Sequence, residues 1–250
     1  MADKIAGVET AAKKVLTRAV ELDASRRFDE SVVCYQEGIH LLMEVLKGTS
    51  DQTKKNAVRK KIEEYMGRAE QIKVHVQEVK EAGKSHEQIQ IEEYSTGHGY
   101  ESLFGKYLDG FLTEVQIEDP YIRSTHQMYN FLRFCEMLVK SQSPVNKVRL
   151  YTARDENEDS RQQQHNRLTQ LTRSLQKHNI ELVVEYNDSL HDREIRFNNG
   201  WVLKIGRGLD IYKATESKFT IGFCDFDLRP CHKTTIDIFH TNYLHRTDNV

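Results

Sequence analysis

The chain has 250 residues, 38% of them hydrophobic and 30% charged, with a formal net charge of −2. That length builds one large domain or two modest ones, and the composition is that of a globular rather than a disordered protein. The near-neutral balance excludes nucleic acid as a dominant partner, and no apolar run is long enough to span a bilayer, so membrane contact is expected to be peripheral.

Residues 1–10 mix charges without an apolar stretch, so no secretory signal is expected. Three segments then carry apolar residues at alternating spacings of four and three. Val8, Ala12, Val15, Ala19 and Leu22 form the first face. Phe28, Val32, Tyr35, Ile39, Leu42 and Leu46 form the second, and Val58, Ile62, Tyr65, Ala69, Ile72 and Val76 the third. This is the period of helices packed side by side, and the short links at 23–27 and 48–51 make successive helices antiparallel. Gly48 suits a helix C-terminus, and Ser50 or Asp51 the next N-cap.

Residues 83–93 lose this period and read as a linker, with 88–91 able to pair locally. Beyond it the pattern alternates: a strand at 115–117 ending in a Pro120 turn, a helix at 128–139, a strand at 148–152, a helix at 162–178 and a strand at 180–186. Such alternation implies a mostly parallel sheet with helices on both faces. Residues 195–197 and 201–203 flank Asn199-Gly200, a strong hairpin signal. The fold class is therefore α + α/β, with a helical domain over 1–82, a linker over 83–93 and an α/β domain over 94–250.

Cys34, Cys135, Cys224 and Cys231 are too sparse for a disulfide framework, which points to the reducing cytosol. Cys224, Cys231 and His232 match no common zinc spacing, so neither metal nor cofactor is expected. His232, His240 and His245 have no nucleophile or acid at a diagnostic spacing and read as ordinary polar residues.

In the helical half, Arg18-Ala-Val-Glu-Leu-Asp23, Cys34-Tyr-Gln-Glu-Gly-Ile39 and Tyr65-Met-Gly-Arg-Ala-Glu-Gln-Ile-Lys73 occur in order. These motifs resemble those of the MIT (microtubule interacting and transport) domain over residues 4–82. Met66 stands where that family commonly has Leu, and Gly38 where it commonly has Ala. The resemblance implies a binder of ESCRT-III C-terminal tails, short amphipathic helices that complete the bundle. It places Met66 and Glu70 at the peptide, with Ala69 and Lys73 on the same stretch, at the rim between the second and third helices. Periodicity alone reads Met66 as core filler and Glu70 as a solvated charge.

Residues 191–198, His-Asp-Arg-Glu-Ile-Arg-Phe-Asn, resemble a degenerate phospholipase D signature, H-x-K-x4-D. In that family the His attacks phosphorus, the Lys holds phosphoryl oxygens and the Asp supports the His. Arg193 keeps the cation, whereas Asn198 removes the carboxylate, and the usual second copy of the motif is missing. The resemblance implies the fold without the activity. The alternative is a phosphodiesterase using His191. Lys204 and Arg207 beside Gly206 and Gly208, together with His191, Arg193 and Arg196, make a candidate surface for an anionic headgroup. The same glycines and cations read equally as a turn with solvated charges. Kinship with MIT proteins of this build implies phosphoinositide membrane as the second partner, at the late endosome and the midbody during cytokinetic abscission. A single motif copy further implies a homodimer through the C-terminal half.

Overall fold

The computed structural model describes residues 2–82 and 86–241, and the chain divides into two compact units, 1–81 and 82–250. The first holds α1 (Ala2–Ala24), α2 (Phe28–Gly48) and α3 (Gln52–Ala82). Its buried side chains keep the helical period: Ala12, Leu16, Ala19 and Leu22 on α1, Tyr35, Ile39, Leu42 and Val45 on α2, and Val58, Ile62, Ala69 and Ile72 on α3. Leu16 and Val45 are buried where Val15 and Leu46 were expected, and the latter two are half-buried. Small residues bring α1 and α2 close together. Ser31 Oγ donates to Ala19 O at 2.9 Å, and a Cβ on Gly38 would strike Leu16. Against α3, aromatic pairs fill the space and set the register, with Tyr35–Tyr65 centroids 5.8 Å and Phe28–His75 centroids 5.2 Å apart. Asp51 caps α3 by accepting from Thr53 N at 2.8 Å.

The family motifs meet in one place. Arg68 donates to Asp23 through Nε at 2.7 Å and Nη2 at 2.8 Å, and Tyr35 Oη donates to the same carboxylate at 3.2 Å. One residue from each motif thus ties the three helices together. Burial and the Asp23 charge push the Tyr35 hydroxyl up to about 12, and the Asp23 hydrogen bond raises Arg68 further above its ordinary value.

The second unit is a seven-stranded sheet in the order β1-β7-β6-β5-β2-β3-β4. Its strands are β1 (His86–Ile91), β2 (Glu114–Glu118), β3 (Lys147–Thr152), β4 (Glu181–Tyr186), β5 (Glu194–Phe197), β6 (Trp201–Ile205) and β7 (Thr234–His240). Its helices are α4 (Tyr100–Phe104), α5 (Thr125–Lys140) and α6 (Glu158–Gln176). Only β2-β3 and β3-β4 pair in parallel. The hairpin turns through Asn198–Gly200, where Gly200 has φ +105.

Three expectations need correction. The sheet is not mostly parallel: four of the six pairings between the described strands are antiparallel, because β5, β6, β7 and β1 follow one another as antiparallel neighbours beside β2. Residues 86–91 are not linker: they pair antiparallel with β7, and Ile89 and Ile91 join the core. Residues 83–85 lie outside the described set, as does His245. Nor does the sheet carry helices on both faces. The crossovers through α5 and α6 advance in the same direction, and right-handed connections then put both helices on one side. Alternate residues from every strand, among them Val115, Ile117, Leu150, Ile195, Leu203 and Ile238, enter one core there with Phe104, Phe131, Phe134 and Leu168. The opposite face holds paired charges: Arg149 with Glu114, Lys147 with Glu181 and Arg196 with Glu194.

Candidate functional site

On α3, Met66, Glu70 and Lys73 form an exposed stripe, and Met66 is 50% exposed. Lys73 Nζ lies 4.0 Å from Glu70 Oε2. Ala69 is 6% exposed and belongs to the core at the foot of this stripe. Helical spacing puts Met66 on the α2 flank of α3, and on α2 itself Met43 is 38% exposed. Met43 escaped the sequence reading because it lies off the apolar face of α2. The half-exposed Met66 thioether gives an adaptable contact for leucine side chains.

The other flank of α3 holds a groove of about 770 Å³ that the sequence reading also missed. Leu16, Val20, Leu42, Ala57 and Tyr65 line it, with Lys13, Lys54 and Lys61 among its cations. The close approach of α1 to α2 leaves α3 standing off and opens this cleft. Val20, an apolar residue outside the core-facing pattern of α1, was its signal in the sequence.

In the second unit the five anion-site candidates divide. His191, Arg193 and Lys204 line one pocket of about 370 Å³, but Asp192, Glu194 and Asp237 line it too. A phosphate there would meet three carboxylates, one of them on Glu194, which is only 4% exposed. Arg193 Nη1 donates to Gly206 O at 2.9 Å, and its guanidinium stacks 4.1 Å from the Tyr121 ring centroid. Arg196 lies outside this pocket lining and pairs with Glu194 at 2.5 Å. Arg207 Nε donates to the Asp210 carbonyl at 3.0 Å.

The signature does not assemble as a catalytic set. His191 precedes β5 and Asn198 follows it, at the spacing of the signature, but the amide at 198 supplies no carboxylate. Asn198 spends both ends of its amide on Thr113: Nδ2 donates to Oγ1 at 2.8 Å and Oδ1 accepts from the Thr113 amide at 3.0 Å. The glycine turn also has an internal cause. A Cβ at Gly208, where φ is +59, would collide with the Asp119 carboxylate. Asp119 accepts from Leu209 N at 3.2 Å and from Tyr121 N at 3.0 Å, and burial raises its pKa. The close backbone approach serves this carboxylate rather than a phosphate. Among the described residues no three metal-ligating side chains converge, and Cys231 is buried while Cys224 is exposed.

A bundle tied together by its motif residues, followed by a phospholipase D-like sheet with one incomplete signature, defines a class of protein. The family model described as the MIT (microtubule interacting and transport) domain matches residues 9–74, and the one described as a phospholipase D-like domain at the C-terminus of MIT matches residues 97–240. The chain belongs to the MIT-domain proteins that carry such a C-terminal domain, a family of MIT-based adaptors that bind partner proteins. It is 54% identical over 234 residues to MIT domain-containing protein 1 of Mus musculus, covering 94% of each chain. A shorter similarity, 31% over 65 residues, links it to sorting nexin-15 of Rattus norvegicus, covering 26% of this chain and 19% of that one.

Proposed function

We propose that the protein is a non-enzymatic adaptor that holds ESCRT-III tail helices with its helical unit and anionic, phosphoinositide-containing membrane with its C-terminal unit. The observation that carries this reading is the exposed Met66 beside Glu70 and Lys73, an apolar anchor point with a charged rim on a three-helix bundle. A tail helix laid there buries leucines against Met66 and pairs a basic residue with Glu70. The protein then works from the cytoplasm, peripherally at late endosomes and at the midbody. The Asn198 amide, which lacks a carboxylate and is bonded to Thr113, supports the non-catalytic reading.

The α1/α3 groove, about 770 Å³ and lined by Leu16, Val20, Leu42 and Ala57, favours a second mode in which a tail helix lies on the opposite flank. Calorimetry with tail peptides separates the two. Met66→Asp is expected to weaken binding at least tenfold, because a carboxylate must be desolvated against leucine. Binding within about twofold of wild type, with Val20→Asp abolishing it, would move the peptide to the α1/α3 groove. A homodimer through the uncovered face of the sheet completes the proposal, and light scattering over a tenfold dilution is expected to return twice the chain mass.

A further inference from the structure

Between Tyr212 and Cys231, which are bridged to one another, the chain makes a long excursion closed at its neck by Lys213 N donating to Pro230 O at 2.9 Å. Its body is fixed. The buried Arg229 donates Nε to Gly222 O and Nη2 to Phe223 O, both at 2.6 Å, while Phe226 packs edge-on against Tyr212 at 4.4 Å. Its tip is an ordered turn: Phe219 N donates to Ser217 Oγ at 3.1 Å, Phe223 N to Thr220 O at 3.0 Å, and Gly222 sits at φ +86. From this braced tip Phe219 projects with 101% exposure and Ile221 with 79%. A well-ordered turn that holds two large apolar side chains wholly in water has spent its packing on presenting them.

We infer that this tip is a membrane-inserting wedge, with Phe219 and Ile221 entering the acyl boundary of the bilayer and Lys218 resting among the headgroups. Two features favour a bilayer over a protein pocket. The apolar side chains stand in solvent on a turn held by its own hydrogen bonds, which suits a deformable apolar phase rather than a preformed surface. Between residues 217 and 224 the single formal charge is Lys218, so insertion desolvates no carboxylate and places one cation beside lipid phosphate. The inference rests on the proposed membrane contact and relocates it, from the carboxylate-lined pocket at His191 to the far end of this loop.

The test is sedimentation of the full chain with vesicles of phosphatidylcholine alone and of phosphatidylcholine with phosphatidylserine and a phosphoinositide. Phe219→Ser with Ile221→Ser is expected to weaken binding by about tenfold or more, while Phe219→Leu with Ile221→Leu binds as wild type. Both side chains stand in solvent, so an unchanged thermal midpoint certifies the fold. Phe219→Trp is expected to shift its emission to the blue on vesicles and to be quenched by lipids brominated near the glycerol, after subtraction of the single native tryptophan, Trp201. Wild type bound but the double serine variant bound equally overturns the wedge alone. Wild type bound to neither vesicle overturns the wedge and the membrane reading together. A fall in oligomeric mass in the serine variant makes the tip a contact between two copies and likewise overturns it.

Discussion

Substituting Arg68 by alanine removes two hydrogen bonds to Asp23, at 2.7 and 2.8 Å, that tie the end of α1 to α3. The Asp23 side chain is 11% exposed and would keep the Tyr35 hydroxyl at 3.2 Å. Breaking a fully buried charge pair costs about 3–5 kcal/mol. Arg68 is 36% exposed, and water screens the pair and replaces part of what is lost, so the expected cost is about 2 kcal/mol. With a urea slope of roughly 1–1.5 kcal/mol per molar, the midpoint should fall by about 1.5 M. The two units can be followed separately, because the single tryptophan, Trp201, lies in the sheet, whereas helical circular dichroism is dominated by α1, α2 and α3. The dichroism midpoint should move and the Trp201 transition should stay. A double-mutant cycle with Asp23→Ala should give a coupling of about 1 kcal/mol or more. A cost below about 0.5 kcal/mol, or a cycle that closes additively, would refute the claim that the shared motif residues act as a structural tie.

Gly208→Ala should destabilise the sheet unit by about 2 kcal/mol or more, read from the Trp201 transition, since φ is +59 and Asp119 occupies the space of the new Cβ. Burial lowers the pKa of His240 and of His232, so the folded state favours their neutral forms. The unfolded chain takes up protons first as pH falls. Stability is therefore full above about pH 6.5 and is lost progressively below it, and the loss measured down to about pH 5.5 should shrink in His240→Leu. His191→Ala should change neither turnover of a generic phosphodiester nor vesicle binding by more than about twofold, and turnover that vanishes in this variant would restore the enzyme reading.

The helical unit was legible because its apolar period, its short links and its Asp51 cap are all local signals. The sheet was legible where strands alternate with helices, from residue 114 to residue 205, and at the Asn199-Gly200 turn. β1 was not, because His86 to Gln88 show no alternation and its partner β7 lies far along the chain. Helices on one face only were hidden because crossover direction is a property of strand order, which composition does not carry. At the sites, exposed Met66 was readable from kinship alone, since its period reads it as core filler. The carboxylates around His191 were not, since Asp237 arrives from a strand that no motif marked. The tip was not singled out, because the exposure of Phe219 and Ile221 depends on the neck and on Arg229, which only the folded chain reveals.

The most direct test of the adaptor is a three-component flotation: labelled ESCRT-III tail peptide, phosphoinositide-containing vesicles and the full chain. The peptide should float only when all three are present and should remain at the bottom with Met66→Asp, while the protein itself still floats. Peptide that floats equally with Met66→Asp and wild type, or protein that floats without ever carrying peptide, would contradict the bridging of tail and membrane by one chain.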